Sequence, residues 1–452
     1  MLRTKVVMSV ISSVGLLFVL TGCGGSGSSS SGSVTLNVEI GQGASDSAAV
    51  LKLFNEVKRG FQKKYPHIQV KISTYNIANV SSVVNTMVAS HRGPNVFTIG
   101  TTFVPTLSAS HAFVGWTPTM LKEINFSNLV PSATRMDGVP GHQPVGVIYQ
   151  TSPFALFYNK ALFKKANITS PPTTWAQFVA DAKKMTHPSQ RVWGSVIAPA
   201  DPNYSLWMMW ALARQVGQQL VNSQGTKANF ASPKVVSQVR FYLNMLRTYH
   251  IVSPADVQYN QKDAFVAFMQ GKAAMMPFGG MFDIPVLRTN PTFMRKDVGV
   301  APVPTLPVGY KKLPQGGVPA ESFVSGQEMT IFKYGTTQAQ QAAAVKWIGY
   351  FDSPSVQTKM WKSVGYLPVN RESLKNPALK APLWHSFEQI LPHEYPTRRV
   401  AGWLAINTVF DKSLAGVFDS VALHNYHSGQ LISTLRAANQ KTDSVLSQFK
   451  AP

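Results

Sequence analysis

The chain has one cysteine, few acidic residues and no apolar run long enough to cross a bilayer. A single thiol excludes an internal disulfide and a metal–thiolate cluster, because each needs several cysteines. A spanning helix needs roughly 20 apolar residues, whereas the longest apolar run, residues 6–20, has about fifteen and contains serines. The densest later run, residues 205–213, is shorter still. The sequence therefore predicts a folded body without spanning helices that is stabilised by packing alone.

The scarcity of carboxylates leaves a large positive charge, since 42 Lys and Arg residues stand against 20 Asp and Glu residues, for a net +22. Such a charge is compatible with nucleic acid, anionic lipid, a wall polymer or an anionic ligand as partner. The basic residues are dispersed, however, and the longest basic runs are pairs such as Lys63-Lys64. We interpret the charge as a surface adaptation to an acidic or polyanionic exterior and expect no nucleic-acid partner.

The first residues are typical of an export signal, because Arg3 and Lys5 precede the apolar run. The Leu-Thr-Gly-Cys motif that ends at Cys23 resembles the lipobox of bacterial lipoproteins, in which the cysteine is lipidated and becomes the first residue. The resemblance implies a signal peptide over residues 1–22, lipidation of Cys23 and a flexible Gly/Ser tether over residues 23–33. Two acyl chains supply stable anchoring. The alternative is an ordinary secretory peptide with an incidental cysteine.

Strand and helix patterns alternate after the tether. Apolar and polar residues alternate over residues 34–40 and again over 68–72, which predicts half-buried strands. Between them, apolar residues recur at helical spacing after a predicted cap at Asp46. A second helix over residues 80–90 and a third strand over 95–99 complete a βαβαβ pattern. This alternation predicts an α/β fold whose largely parallel sheet binds ligands at the carboxyl ends of its strands.

The rest of the chain is predicted to be mainly helical. Removing residues 1–22 leaves 430 residues, which is too many for one ordinary core and predicts two or three domains. A capping box at residues 174–177 marks the start of one helix. The predicted helices cover residues 175–185, 204–216, 233–249, 263–270 and 339–351.

Six short motifs follow one another along the chain. They are FQKKYPHIQV at 61–70, GPNV at 93–96, FYNKALFKKA at 157–166, PPTTW at 171–175, FMQGKAAM at 268–275 and GYLP at 365–368. Each motif is weak alone. In this order and spacing they resemble the extracellular solute-binding proteins of carbohydrate ABC transporters, the group that contains maltose-binding protein.

The resemblance implies a two-lobed α/β fold with a central ligand cleft, in which the lobes close about a hinge. Lobe one would comprise residues 34–151 and 320–367, and lobe two residues 152–319 and 368–452. The implied function is that of the lipid-anchored component of an importer, which captures a sugar or oligosaccharide and delivers it to permease subunits. The protein would be a monomer at the outer face of the cytoplasmic membrane, with no cofactor, metal or enzymatic activity.

Sugars present hydroxyls at their rims and C–H groups on their faces, so sugar sites combine aromatic rings with polar side chains. Aligned through the motifs, the residues implied to bind ligand follow the third strand, lie in the segment that crosses between lobes, or are aromatic residues of lobe two. For each aromatic residue the alternative is packing in the core. The implied set is Thr101, Thr102, Phe103, Thr151, Ser152, Tyr204, Trp207 and Trp403.

Departures from the family pattern indicate a ligand that differs from that of well-known maltose binders. The usual Gly-x-Trp turn is replaced at residues 279–282, so a stacking ring is lost or supplied by Phe282, which follows Met281. The usual Asp after Gly-Pro is Asn95. A second binding hypothesis is therefore an anionic solute, such as a uronate or a phosphorylated polyol, held by the guanidinium of Arg399.

Two further hypotheses stay open. A glycan-active enzyme would need paired carboxylates, which spacing cannot exclude, although acids are scarce and no hydrolase elbow, zinc-protease motif or phosphate loop occurs. His424 and His427 have a spacing that could support a metal, and the simpler interpretation is an exposed helix face. A wall-binding adhesin would use the positive charge on a polymer, and its binding would be sensitive to salt.

Overall fold

The computed structural model describes residues 32–42, 47–130, 143–280, 284–323, 325–395 and 400–448. Its strands are β1 (Val34–Gln42), β2 (Ile68–Asn76), β3 (Val96–Gly100), β4 (Gly146–Thr151), β5 (Phe154–Asn159), β6 (Met275–Gly280), β7 (Val298–Ala301), β8 (Ser322–Phe323), β9 (Gly326–Ile331) and β10 (Glu394–Tyr395). Its α-helices are α1 (Ser47–Lys64), α2 (Val80–Ser90), α3 (Val104–Ala109), α4 (Pro118–Glu123), α5 (Lys160–Lys165), α6 (Trp175–Lys184), α7 (Tyr204–Gln215), α8 (Pro233–Arg247), α9 (Gln261–Met269), α10 (Ile284–Leu287), α11 (Pro291–Lys296), α12 (Gln338–Phe351), α13 (Pro354–Val364), α14 (Arg371–Leu374), α15 (Pro382–Ile390), α16 (Trp403–Ala422) and α17 (Gln430–Gln448). Short 3-10 helices span Ile77–Asn79, Thr101–Phe103, Phe126–Asn128, Pro188–Gln190, Pro254–Gln258, Pro377–Lys380 and Leu391–His393.

The start of the fold follows directly from the sequence pattern. Leu36 and Ile40 of β1 are fully buried, while the residues between them alternate in exposure. Phe54 and Phe61 of α1 are buried on the side of the helix that packs against the sheet and α12. The predicted strand–helix–strand pattern is therefore confirmed. The cap predicted at Asp46 lies outside the described residues.

The first sheet has five strands in the order β2-β1-β3-β9-β4. β1 is parallel to β2 and β3, whereas β9 is antiparallel to both of its neighbours, β3 and β4. The largely parallel sheet is thus confirmed, with β9 reversed because the chain re-enters this sheet from the second one. The carboxyl ends of β1 to β4 lie together at what we call the cleft end of the sheet. The opposite end, where β1 to β4 begin and β9 finishes, is called the amino end.

The second sheet consists of β5, β6 and β7 in the order β6-β5-β7, with antiparallel pairs. Helices α9 and α15 contact this sheet, and α7 packs against α8 and α16 in a helical layer beside it. A buried polar network joins parts of this lobe, because the indole N–H of Trp175 donates to Gln215 (2.9 Å). The Gln215 amide in turn donates to the carbonyls of Pro304 and Ala320 (2.9 Å each). None of the helices within the described ranges is long and apolar enough for a bilayer crossing.

The predicted helices of this part are confirmed, and their ends differ from the predictions by a few residues. The largest difference in start concerns α9, which begins at Gln261 rather than at Asp263. The reason is a capping box, in which Asn260 accepts from the backbone N–H of Asp263 and the Asp263 carboxylate accepts from that of Asn260. Asp263 is therefore the third residue of the helix.

Two chain segments run side by side between the lobes, one between β4 and β5 and the other between β8 and β9. β8 pairs in parallel with β10 in a separate two-stranded sheet. The backbone N–H of Ser152 and the hydroxyl of Thr151 both donate to the carbonyl of Ser325, at 2.9 and 3.1 Å. The N–H of Phe154 donates to the Ser322 hydroxyl at 3.1 Å. Two α/β lobes joined by adjacent crossing strands form the fold, as predicted. The lobe boundaries at residues 151, 319 and 367 stay predictions.

Candidate ligand-binding site

A cavity of about 430 Å³ lies between the cleft end of the five-stranded sheet and the helical layer of the second lobe. The first lobe contributes Asn76 at the end of β2, Gly100 at the end of β3 and Gln150 near the end of β4. The second lobe contributes the loops before α7 and α9 and one side of α16. The cavity thus lies where the strand alternation predicts a ligand.

Thr101, Thr102 and Phe103 form a 3-10 helix directly after β3. Gly100 still has extended backbone geometry (φ −65°, ψ 141°), so the helix begins where the strand reaches the cavity. All three residues line the cavity, and Thr101 and Thr102 have only 2% and 8% of their surface exposed. A ligand would therefore meet two hydroxyls in surroundings that bulk water hardly reaches, where hydrogen bonds are stronger.

Amide side chains from both lobes supply much of the remaining polar wall. Asn407 of α16 fixes the position of the loop before α7. Its side-chain amide donates to the carbonyl of Pro202 (2.6 Å) and to the side-chain oxygen of Asn203 (2.8 Å). The loop before α7 is thereby tied to α16. The lining amides are Asn76, Gln150, Asn203, Asn260, Gln261, Gln327 and Asn407.

Asp201 is the carboxylate among the described lining residues. Its Oδ1 accepts from the backbone N–H of Asn203 (3.0 Å), and its Oδ2 accepts from that of Gln261 (3.2 Å). One side chain therefore connects the loop before α7 to the start of α9. Burial raises the pKa of Asp201, and the backbone donors Gln261, Asn203 and Tyr204 partly oppose this rise. The exposed Lys262 is the cation among the described lining residues.

Trp207 of α7 supplies an indole ring at the cavity wall. Its centroid lies 4.8 Å from that of Phe154 and 5.9 Å from that of Phe323, in tilted contacts. Since Phe154 and Phe323 adjoin the crossing segments, the orientation of the indole is set by packing at the hinge. The other aromatic rings that line the cavity are Phe103, Tyr149, Phe323 and Tyr366.

The remaining described candidates from the sequence lie in different places. Ser152 lines the cavity, whereas Thr151 lies beside it. Tyr204 is fully buried, and its hydroxyl donates to the backbone carbonyl of Pro277 in β6. The structure therefore places the Tyr204 ring in the core, outside the cavity lining.

Trp403 is also buried, at the first turn of α16, with 2% of its surface exposed. The same helix lines the cavity through Leu404, Asn407 and Thr408 instead. Met281, Phe282 and Arg399 lie outside the described residues, as does Cys23, so their roles stay predictions.

The residues predicted from the sequence include none of the lining amides and do not include Asp201. Asn76 is the last residue of β2, so the argument from strand ends that selected Thr101 could have found it. Asn260 has a recognisable capping signal together with Asp263 three residues later. That signal locates a helix start, but it does not show that this start faces the first lobe. Asp201 and Asn407 carry no local pattern at all, because their placement depends on packing between α7 and α16.

Within the described part of the chain, no group of three or more His, Cys, Asp or Glu side chains is placed to hold a metal ion. The interpretation of His424 and His427 as an exposed helix face is corrected by the structure. Both residues are exposed, but they lie in the connection between α16 and α17, where His424 adopts a left-handed backbone (φ 58°). They therefore do not share a helical face.

A cavity between two α/β lobes, beside two adjacent crossing segments, defines a binding protein that encloses a small solute at a hinge. The chain belongs to the family of bacterial extracellular solute-binding proteins, whose family profile matches residues 56–383. This match covers most of the chain and confirms the family predicted from the motifs.

Relatives and solved structures agree with this assignment. A binding protein of Brucella abortus (strain 2308) is 22% identical over 405 residues, which are 87% of this chain and 89% of that protein. An ABC transporter solute-binding protein of Thermotoga lettingae TMO, solved with alpha-D-tagatose, gives a TM-score of 0.74 at 22% identity and covers 92% of this chain and 100% of its own. The maltose-bound MalE3 of T. maritima gives 0.75 at 20% identity, with coverages of 90% and 99%. The two-lobed fold is thus confirmed.

Proposed function

We propose that this protein is the substrate-binding component of an ABC importer that captures a neutral sugar or oligosaccharide by hinge closure and delivers it to a membrane permease. The observation that carries the proposal is the composition of the cavity wall. Amides, hydroxyls and aromatic rings dominate it, and its described lining includes one carboxylate, Asp201, and one ammonium group, Lys262. This combination matches the hydroxyl rims and apolar faces of a sugar.

Each wall group has a defined part in sugar capture. Amides both donate and accept hydrogen bonds, so they can match hydroxyl groups, which do the same. When it is ionised, Asp201 only accepts hydrogen bonds, and its backbone donors hold it in place for a pair of ligand hydroxyls. The indole of Trp207 offers a flat apolar surface to one sugar face. The tagatose and maltose in the two similar solved structures are ligands of this chemical class.

Hinge closure is supported by the position of the cavity between lobes that adjacent chain segments connect. The hydrogen bonds from Thr151 and Ser152 to Ser325 tie these segments together. Small backbone rotations there would move Asp201 and Trp207 as a unit relative to Thr101 of the first lobe. Closure would bury the sugar, and opening would release it unchanged to the permease.

The competing functions lack comparable support in the described cavity. A glycosidase places two carboxyl groups on opposite sides of the scissile bond, whereas the described lining contains Asp201 without a second acid. A binding protein without enzymatic activity is therefore proposed. An anionic ligand would need more cationic partners than the exposed Lys262, and Arg399 lies outside the described residues.

A thermal-shift screen followed by calorimetric titration tests the sugar proposal, because a ligand that binds the native state raises its stability. Once a neutral sugar is found, we expect Trp207→Ala to weaken its binding about ten-fold. A sugar face that covers roughly 50 Å² of indole contributes about 1.3 kcal/mol at about 25 cal/mol per Å². The matched control is Trp193→Ala, because Trp193 is also half-buried but does not line the cavity.

Three outcomes of these binding experiments would contradict the sugar proposal. Equal loss of affinity in the Trp207 and Trp193 variants would contradict the assignment of the cavity. Binding of uronates alone, abolished by Arg399→Ala, would replace the neutral ligand with an anionic one. Salt-sensitive binding to wall polymer without saturation by any small sugar would favour an adhesin.

The finer parts of the proposal concern the location of the protein. Lipidation of Cys23 would tether a monomer to the outer face of the cytoplasmic membrane through the Gly/Ser segment. Metabolic labelling with a fatty-acid analogue tests this part, since Cys23→Ser should abolish the label and release the protein from membranes. Membrane-bound protein without label would point to a retained signal segment instead.

A further inference from the structure

The amino end of the five-stranded sheet, opposite the cavity, gathers cationic side chains from distant parts of the sequence. They come from the end of α1, the turn before β3, the turn after β9 and the middle of α12. The sequence shows these residues only as isolated charges or one pair, so their convergence is a product of the fold. We call this surface the basic end; its residues are Lys63, Lys64, Arg92, Lys333 and Lys346, and all five are exposed.

Contacts between the elements bring these charges together. The ammonium groups of Lys64 and Lys346 lie 5.4 and 5.9 Å from the centre of the same ring, that of Tyr65. On the neighbouring turns, the rings of His91 and Tyr334 stack at 4.0 Å, which places Arg92 beside Lys333. The basic end therefore consists of two groups of cations, one around Tyr65 at the end of α1 and one on the turns before β3 and after β9.

The charge of the basic end is not neutralised by nearby acids. The stretches that build it, residues 57–72, 86–116 and 331–351, contain no Asp or Glu. None of its five cations forms an ion pair with another described residue. An uncompensated cluster of this kind creates a local positive potential that attracts anionic surfaces.

The chain enters the fold at the centre of this surface. The backbone N–H of Val34 donates to the carbonyl of His67 (2.9 Å), and the Gln340 amide donates to the carbonyl of Thr35 (3.0 Å). The first residues of β1 thus lie between the end of α1 and α12. Ten residues, all Gly or Ser, separate Cys23 from Val34, so the start of β1 is close in the sequence to the proposed anchor.

We propose that the basic end docks on the anionic headgroups of the membrane in which Cys23 is anchored. This inference rests on the lipid anchor of the proposed function. The tether keeps the basic end near the bilayer, where surface charges act within about 10 Å and each lysine or arginine raises binding about five-fold. The cavity lies roughly 23 Å away at the other end of β1, so docking leaves it open to solvent. A wall polymer offers similar charge, but it does not account for the clustering around the start of β1, where the tether ends.

Vesicle co-sedimentation of a protein that lacks the lipid anchor tests the docking. The protein is residues 23–452 with Cys23→Ser, which keeps every described element. The probes are vesicles of phosphatidylcholine alone and vesicles with about 30% phosphatidylglycerol, in about 50 mM salt. We expect binding to the anionic vesicles only. The triple substitution Lys63→Gln, Lys64→Gln, Lys346→Gln should weaken it at least about ten-fold.

The matched control removes three exposed lysines of the second lobe, at positions 164, 165 and 296, by the same change to glutamine. It should bind anionic vesicles as the parent does. Equal loss in both triple variants would overturn the proposal, because net charge alone would then explain binding. No preference for anionic vesicles, or binding of soluble polyglycerol phosphate without binding of vesicles, would overturn it as well. Sugar titration of the same variants separates this outcome from failure of the proposed function, since the basic end does not line the cavity.

Discussion

Asp256 makes the stability of the second lobe depend on pH in a direction opposite to that of most acidic residues. Its side chain is 3% exposed, in the 3-10 helix Pro254–Gln258, and its carboxylate accepts from the backbone N–H of Ile197 (3.4 Å). Burial raises the pKa of Asp256 from 3.8 to about 8, and backbone donors offset only part of the rise. The folded state therefore keeps this proton at pH values where the unfolded chain has lost it.

The free energy of unfolding must then fall as the pH rises from about 4 to about 8, by up to about 1.4 kcal/mol per pH unit from this group. Asp256→Asn has nearly the same shape and cannot ionise. Relative to the parent protein, we expect the variant to gain about 2.7 kcal/mol of stability between pH 5 and pH 7.

Urea unfolding of both proteins at the two pH values, followed by tryptophan fluorescence, measures this difference. Taking the difference between proteins removes the contribution of other buried acids such as Asp411 and Asp352, whose pKa values are also raised by burial. Glu123→Gln, at an exposed position, controls for the loss of one carboxylate. A variant whose advantage over the parent is the same at both pH values would refute the reasoning.

Two substitutions in the second lobe test its packing. Gln215→Ala leaves the indole N–H of Trp175 and two backbone carbonyls without partners in the core. Urea unfolding should therefore show a loss of about 2–4 kcal/mol in the free energy of unfolding. A loss below about 1 kcal/mol would contradict the stabilising role of this hydrogen-bond network. Tyr204→Phe removes one buried hydrogen bond and should cost about 1 kcal/mol of stability. Because Tyr204 does not line the cavity, calorimetry should show sugar affinity within about two-fold of the parent, and a ten-fold loss would move it into the site.

The fold was predictable from the sequence where local patterns decide the structure. The alternation in β1 and the helical spacing in α1 depend only on burial of one face, so both elements can be predicted from the sequence pattern. The antiparallel direction of β9 could not be predicted from such a pattern. Its direction depends on where the chain re-enters the sheet, and no local pattern encodes that.

The site was predictable only in part. Thr101 and Thr102 follow a strand end, which marks them as cavity residues in a parallel sheet. Tyr204 and Trp207 belong to a helix that is apolar on nearly all sides, so the sequence does not show which ring faces the cavity. The fold resolves this by placing Trp207 at the wall and Tyr204 in the core.

The distribution of positive charge on the surface could not be predicted from the sequence either. In the sequence, Lys64 and Lys346 are far apart, with all of residues 152–319 between them, and neither position indicates anything about the other. In the structure they lie against one tyrosine ring. A dispersed charge in the sequence therefore does not imply a dispersed charge on the surface.

The central claim is that a neutral sugar binds between the lobes in this cavity. A crystal structure of the protein with the sugar selected by titration tests it most directly. The account predicts a sugar ring within about 4 Å of the Trp207 indole and a hydroxyl within about 3.2 Å of Asp201. A sugar held on another surface, with only solvent in the cavity, would contradict it.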